Sequence, residues 1–152
     1  MIAHAAVVAA TLIAVALCVL LQYEGLVLTW KWIAGHRGHK RAKVVYAILS
    51  IITLHVIEIW LFGMAIWGLL CLPGTGTLHG PQSADILECI YLSAVTFSTV
   101  GFGDIAPVGA IRFLCGTEAL TGFVLITWSA SFTYLEMERF WRADEMDSRD
   151  AE

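Results

Sequence analysis

Charge is what this sequence has least of. Asp, Glu, Lys and Arg make up 14% of its 152 residues against 59% apolar residues, and the formal balance is −4. The length allows one domain. A soluble domain so small has too much surface for its volume to hide that much apolar matter, so lipid is the solvent that takes up the excess. There is no basic face to neutralise phosphates, which argues against nucleic acid as a partner. The cysteines, at 18, 71, 89 and 115, form no CxxC pair and have no histidine at ligand spacing. Metal chemistry is therefore not indicated, and membrane-buried free thiols are the reading, with a Cys71–Cys89 bridge left open. No nucleophile–base pair stands out either, so an enzyme is disfavoured and no cofactor is expected.

What is present is a set of long apolar runs. Residues 2–21 carry no Asp, Glu, Lys or Arg, and no Lys or Arg precedes position 31. About 20 residues in a helix cross a hydrocarbon core of roughly 30 Å. A signal peptide would want a basic start and a small-residue cleavage site, so an uncleaved span is expected, with the whole lead segment covering 1–33 and ending in the interfacial aromatics Trp30 and Trp32. Residues 34–43 form a basic loop; with Lys31 it holds Lys31, Arg37, Lys40, Arg41 and Lys43, five of the nine cationic residues. The positive-inside rule puts that loop in the cytoplasm and the N-terminus outside, in a multi-pass protein of the cell membrane with its C-terminus inside.

A second span is expected at 44–71, then a Pro/Gly/Thr-rich outer loop at 72–84 without a single Lys or Arg. Residues 85–97 read as a short helix with Ser83 or Asp85 near its cap. Thirteen residues rise only about 20 Å, too little to span, so this segment dips in and returns. A last span begins at 109 and runs to 135–138, followed by a charged tail, 139–152, whose end from 143 on is expected to be flexible. The fold class is thus all-α: three transmembrane helices plus a re-entrant helix and loop.

Between the half-length helix and the last span lies Thr99-Val100-Gly101-Phe102-Gly103-Asp104. Non-helical backbone at membrane depth is costly unless it is buried in protein or lines a water-filled path. Glycines on alternate positions accept φ > 0, which lets successive carbonyls point one way. Asp104 beside such a path would raise the local cation concentration.

Residues 91–107 (YLSAVTFSTVGFGDIAP) closely resemble the pore loop of the potassium channel superfamily, and the resemblance extends over 44–135. It implies a pore domain at 44–138, with pore helix 85–97, filter 98–104 and inner helix 109–138. It also implies rings of backbone carbonyls from Thr99, Val100, Gly101 and Phe102 that replace the hydration shell of K+, with Gly103 completing the filter and Asp104 at the outer mouth. One filter copy per chain implies a homotetramer, so three identical subunits, K+ and membrane lipids are the expected partners. Three positions depart from the common pattern. Phe102 stands where tyrosine is commonest, Tyr91 where many relatives have tryptophan, and Val95 where some carry a glutamate.

Buried acids in a membrane are expensive and are usually paired or functional. His55 and Glu58 fall three apart on one helix face. With Glu118 on the last span they are expected to form a network behind the pore helix, either bracing the filter or simply packing helices. On the inner helix, Gly122 is a candidate hinge; helical spacing adds Leu125 or Ile126, Ser129 and Phe132 or Thr133 as a candidate cavity face, with Phe132 as the constriction. The lead span has no arginine ladder, so voltage sensing by moving charges is not expected. The residues after Arg142 leave no room for a nucleotide- or calcium-binding domain.

Overall fold

The computed structural model describes residues 2–35, 40–80 and 85–149. Four helices and two short strands follow in the order α1 (Ile2–Gly35), α2 (Lys40–Leu70), β1 (Thr77–His79), α3 (Ile86–Phe97), β2 (Ala106–Val108) and α4 (Arg112–Arg149). By length and composition α1, α2 and α4 are able to cross a membrane, whereas α3, with 12 residues, is not. This is an all-α membrane protein, relieved only by the two-stranded ribbon.

The helices nest around α3. It packs between α2 and α4, and α1 lies against both of those on the side away from α3. Residues Val7, Thr11, Ala14, Cys18, Gln22, Leu26, Thr29 and Ile33 of α1 are all buried. Their spacing of three or four places them on one stripe, so α1 binds the rest of the chain through a single face and leaves its other sides open. A second junction between α1 and α2 is a stack of Trp32 on Tyr46, with ring centroids 3.6 Å apart.

Two glycines set how closely α3 is held. A Cβ at Gly63 of α2 would come within 2.8 Å of the Ile90 Cα, and one at Gly122 of α4 within 2.1 Å of the Phe97 carbonyl oxygen. Any larger residue at either place would push a helix off the short one. Around Gly63 and Gly122 the apolar side chains of Phe62, Ile66, Leu92, Val95, Phe97, Leu114 and Leu125 close the core.

The ends of the elements differ from expectation in three places. Helix α2 already begins at Lys40, inside the basic segment 34–43. Helix α4 begins at Arg112 rather than 109, because β2 and Gly109, at φ 91°, hold the chain out of helical geometry until then. It also continues to Arg149, through most of the tail expected to be flexible. Ala143, Glu145 and Met146 are good helix formers, and no Gly or Pro interrupts the run. Ser83, one of the two expected caps of α3, lies outside the described residues. Asp85 is the cap, its Oδ1 accepting from the Glu88 N–H at 2.9 Å.

The ribbon was not anticipated. β1 and β2 pair antiparallel, with Thr77 opposite Val108, Leu78 opposite Pro107 and His79 opposite Ala106. Buried Thr75 secures its base: its hydroxyl reaches the Leu69 and Leu72 carbonyls at 2.5 and 2.9 Å, and its own carbonyl accepts from the Ile111 N–H at 2.9 Å. The ribbon therefore ties the end of α2 to the start of α4. All four cysteines are free, so the Cys71–Cys89 bridge left open above is not formed.

Candidate functional site

The site is the stretch between the C-terminus of α3 and β2. Its first residues are fastened to α3. The Ser98, Thr99 and Gly101 N–H groups donate to the carbonyls of Ala94, Thr96 and Val95, at 3.1, 2.9 and 3.0 Å. Beyond this fastening the backbone takes positive φ at every second residue: Thr99 at 59°, Gly101 at 53° and Gly103 at 80°. Alternation between left- and right-handed conformations turns successive carbonyls toward one side, in place of the two-sided pattern of a strand. Glycine takes this geometry without cost at 101 and 103. Thr99 is β-branched, and holding it there costs on the order of 1–3 kcal/mol. It is the one non-glycine residue with positive φ among the described residues.

Thr99, Val100, Gly101, Phe102, Gly103 and Asp104 are all exposed in the single chain. Val100 is 56% and Phe102 71% exposed, so two large apolar side chains stand at the tip of the loop without cover from their own chain. At its far end the loop is pinned again. The Tyr91 hydroxyl donates to Asp104 Oδ2 at 2.7 Å. That bond to the carboxylate, aided by some desolvation, raises the Tyr91 phenol above its ordinary titration range. Nothing in the spacing of Tyr91 and Asp104 announces the pair, since thirteen residues and a reversal of the chain separate them.

Behind α3 lies the polar cluster. His55 Nδ1 is 2.7 Å from Glu58 Oε2, both on α2, and the His55 ring sits against Phe97 at a centroid distance of 5.7 Å. Glu118 of α4 meets α3 instead: its Oε1 is 2.5 Å from Ser93 Oγ, which is also 2.8 Å from the Ile59 carbonyl oxygen. Glu58 and Glu118 are both fully buried, with Cys18 of α1 near both. The three residues singled out by sequence thus lie around the same short helix. The residue that joins Glu118 to it, Ser93, was missed, because a lone serine in an apolar helix carries no pattern. Among the described residues no group of three or more His, Cys, Asp or Glu side chains could hold a metal ion.

The inner-helix candidates are turned differently from expectation. Gly122 faces the Phe97 carbonyl, so its smallness serves close packing of α4 on α3. Ser129 is buried, and its Oγ accepts from Gln22 Nε2 of α1 at 2.7 Å. Phe132 lines an apolar pocket of about 230 Å³ with Tyr23, Leu26, Trp30 and Trp128, again against α1. Gly122, Leu125, Ser129 and Phe132 thus lie on the side α4 presents to its own chain, whereas Ile126, the alternative to Leu125, is exposed. Helical spacing alone left Leu125 and Ile126 as alternatives, because without an amphipathic stripe it does not reveal which side meets protein. Phe123, Ile126, Ala130 and Tyr134 lie on the open side.

Residues 44–138, covering α2 to most of α4, match a family described as ion channels. Among curated proteins the chain is similar to Protein LctB of Geobacillus stearothermophilus, 30% identical over 67 residues, which is 44% of this chain and 50% of that protein. It is also similar to Protein LctB of Bacillus caldotenax, 40% identical over 38 residues, 25% of this chain and 28% of that protein. The chain thus spans half the length, or less, of these curated relatives. No solved structure matches it. With a fastened loop between a half-length helix and a spanning helix, and with that match over more than half its length, the chain belongs to the ion channel family.

Proposed function

We propose that this channel is selective for potassium and conducts it passively through rings of carbonyls from Thr99, Val100, Gly101 and Phe102. The observation that carries the reading is the alternating positive φ at Thr99, Gly101 and Gly103 within a TVGFGD sequence. Carbonyls brought to one side at that spacing offer dehydrated K+ a ladder of oxygen ligands. The C-terminal end of α3, with its partial negative charge, adds to the attraction for a cation nearby. Asp104 supplies negative charge at the outer mouth and Gly103 completes the filter.

A single loop covers one side of an ion only, so four copies arranged about an axis form the conducting unit. The exposed Val100 and Phe102 support this, because apolar side chains at a loop tip need a neighbouring copy to cover them. On this reading Phe123, Ile126, Ala130 and Tyr134 face the axis, which keeps Ile126 of the sequence candidates and replaces Gly122, Ser129 and Phe132. The protein sits in the cell membrane with its N-terminus outside and the basic segment 34–43 in the cytoplasm, as the positive-inside rule requires. Helix α1, which lies outside the matched region, is an addition on the outside of the pore. The channel does no chemistry and needs no cofactor beyond the permeant ion.

Flux from potassium-loaded liposomes, with sodium substitution and barium block, tests this reading. Barium-sensitive potassium flux far above sodium flux is the expected result. Equal fluxes of the two ions would overturn the selectivity and point to Phe102, which lacks the phenolic hydroxyl that could tether the filter.

A further inference from the structure

Hydrogen-bond accounting around Ser93 goes one step further. The serine oxygen lies 2.8 Å from the Ile59 carbonyl oxygen and 2.5 Å from Glu118 Oε1. A serine hydroxyl carries one proton. A carbonyl oxygen has none to give, so the Ile59 contact uses the serine proton. One proton can be shared between two oxygens, as at Thr75, but a proton carried by the carboxyl group gives each of the two Ser93 contacts its own. We propose that Glu118 is a neutral carboxylic acid whose own O–H donates to Ser93 Oγ, while Ser93 donates to the Ile59 carbonyl. Glu118 is thereby a positioning residue: through Ser93 it fastens the short helix α3 to α4 and α2 at once.

The surroundings agree with this assignment. Glu118 is fully buried, and its second oxygen, Oε2, has no donor among the described residues. An ionised carboxylate with an unpaired oxygen in that setting is far more costly than a neutral acid, whose second oxygen is an ordinary carbonyl. Among the described residues no Lys or Arg pairs with it. Of the titratable groups, Cys18 of α1 and Cys115 of α4 itself are its neighbours. From α2, Glu58 also neighbours Cys18, and its carboxyl is already engaged by His55. None of them supplies a second charge-assisted contact to Glu118. The close approach of Gly63 to Ile90 explains why the Ile59 carbonyl, one turn away, is within reach of Ser93.

For its functional consequence the proposal rests on the pore reading, whereas its first test does not. Infrared difference spectra of the reconstituted full chain, wild type minus Glu118→Gln, at neutral pH are expected to show the carbonyl stretch of a protonated carboxyl group, moving on deuterium exchange. The paired stretches of an ionised carboxylate in that difference would overturn the proposal. Should Glu118→Gln not fold, Ser93→Ala gives the same information. Loss of the acceptor is expected to shift the carboxyl band to higher frequency, and an unmoved band would overturn the proton's assignment to this contact. The functional arm compares donors. Glu118→Gln, which still donates to Ser93, is expected to keep the wild-type ion flux, and Glu118→Leu to lose it. Equal flux in both would refute the positioning role. Absent flux in the wild type, beside a protonated-acid band, would tell against the pore reading and leave the proton assignment standing.

Discussion

The Thr99–Asp104 loop is braced on two sides, and the braces differ in what surrounds them. Behind α3, Ser93, Glu118 and the Ile59 carbonyl meet in a dry core between three helices. At the far end, Tyr91 and Asp104 join at a similar distance in the open. Hydrogen bonds in a dry interior are expensive to leave half-made, because the abandoned partner stays desolvated. A bond in the open is replaced by water at little cost. The dry brace therefore sets whether the short helix is in place, and the wet one adjusts the loop once it is.

Breaking the dry brace is expected to have the largest effect. Ser93→Ala strands Glu118 in a dry core, and a destabilisation of up to about 3 kcal/mol is expected in thermal unfolding in detergent. Gly122→Ala reaches the same brace from the side. Its methyl group would meet the Phe97 carbonyl oxygen, so α4 must move off α3. A loss of about 2 kcal/mol is expected, together with reduced flux. Gln22→Leu removes a buried interhelical bond of similar length, from α1 to Ser129, remote from the loop. About 0.6 kcal/mol is expected there, with ion selectivity unchanged. Selectivity lost in this variant but kept in Ser93→Ala would reverse the comparison.

The wet brace gives the smallest change in stability and the clearest dependence on pH. Tyr91→Phe is expected to unfold close to the wild type, while altering flux through the loop. The phenol titrates above its ordinary value near 10, chiefly because it donates to Asp104. The stabilisation it lends is therefore complete below that ordinary value and is lost as pH rises through the raised one. Wild-type flux is expected to converge on that of Tyr91→Phe at high pH, and a persistent difference there would assign the effect to the ring instead of the bond.

Much of this fold was legible because hydropathy and length carry it. Three apolar runs and one half-length segment were readable as helices, since lipid imposes an intact hydrogen-bonded helix on anything that crosses it. The loop was legible from its alternating glycines. The ribbon was not, because three-residue strands have no measurable alternation, and its key residue, Thr75, works through backbone carbonyls that every sequence possesses. The orientation of Ser129 and Phe132 was hidden for a different reason: α4 is apolar on every side, and only contact with α1 tells its faces apart. The acids His55 could be grouped with were legible from their cost in a membrane, whereas Ser93 and Tyr91 became visible only as partners.

The ribbon has a mechanical consequence. One end of the loop is stitched to α3 by three backbone bonds, and Ile105 at the other end leads straight into β2, which is laced to β1. A Cβ at Gly80, just past β1, would sit 2.1 Å from the Asp104 carbonyl oxygen, so the two chains lie flush there. A strand tied at both ends, like a plucked string, cannot swing away as a body. Its remaining freedom is rotation of individual peptide planes between fixed posts, so any fluctuation in the loop is expressed as a carbonyl turning aside and returning.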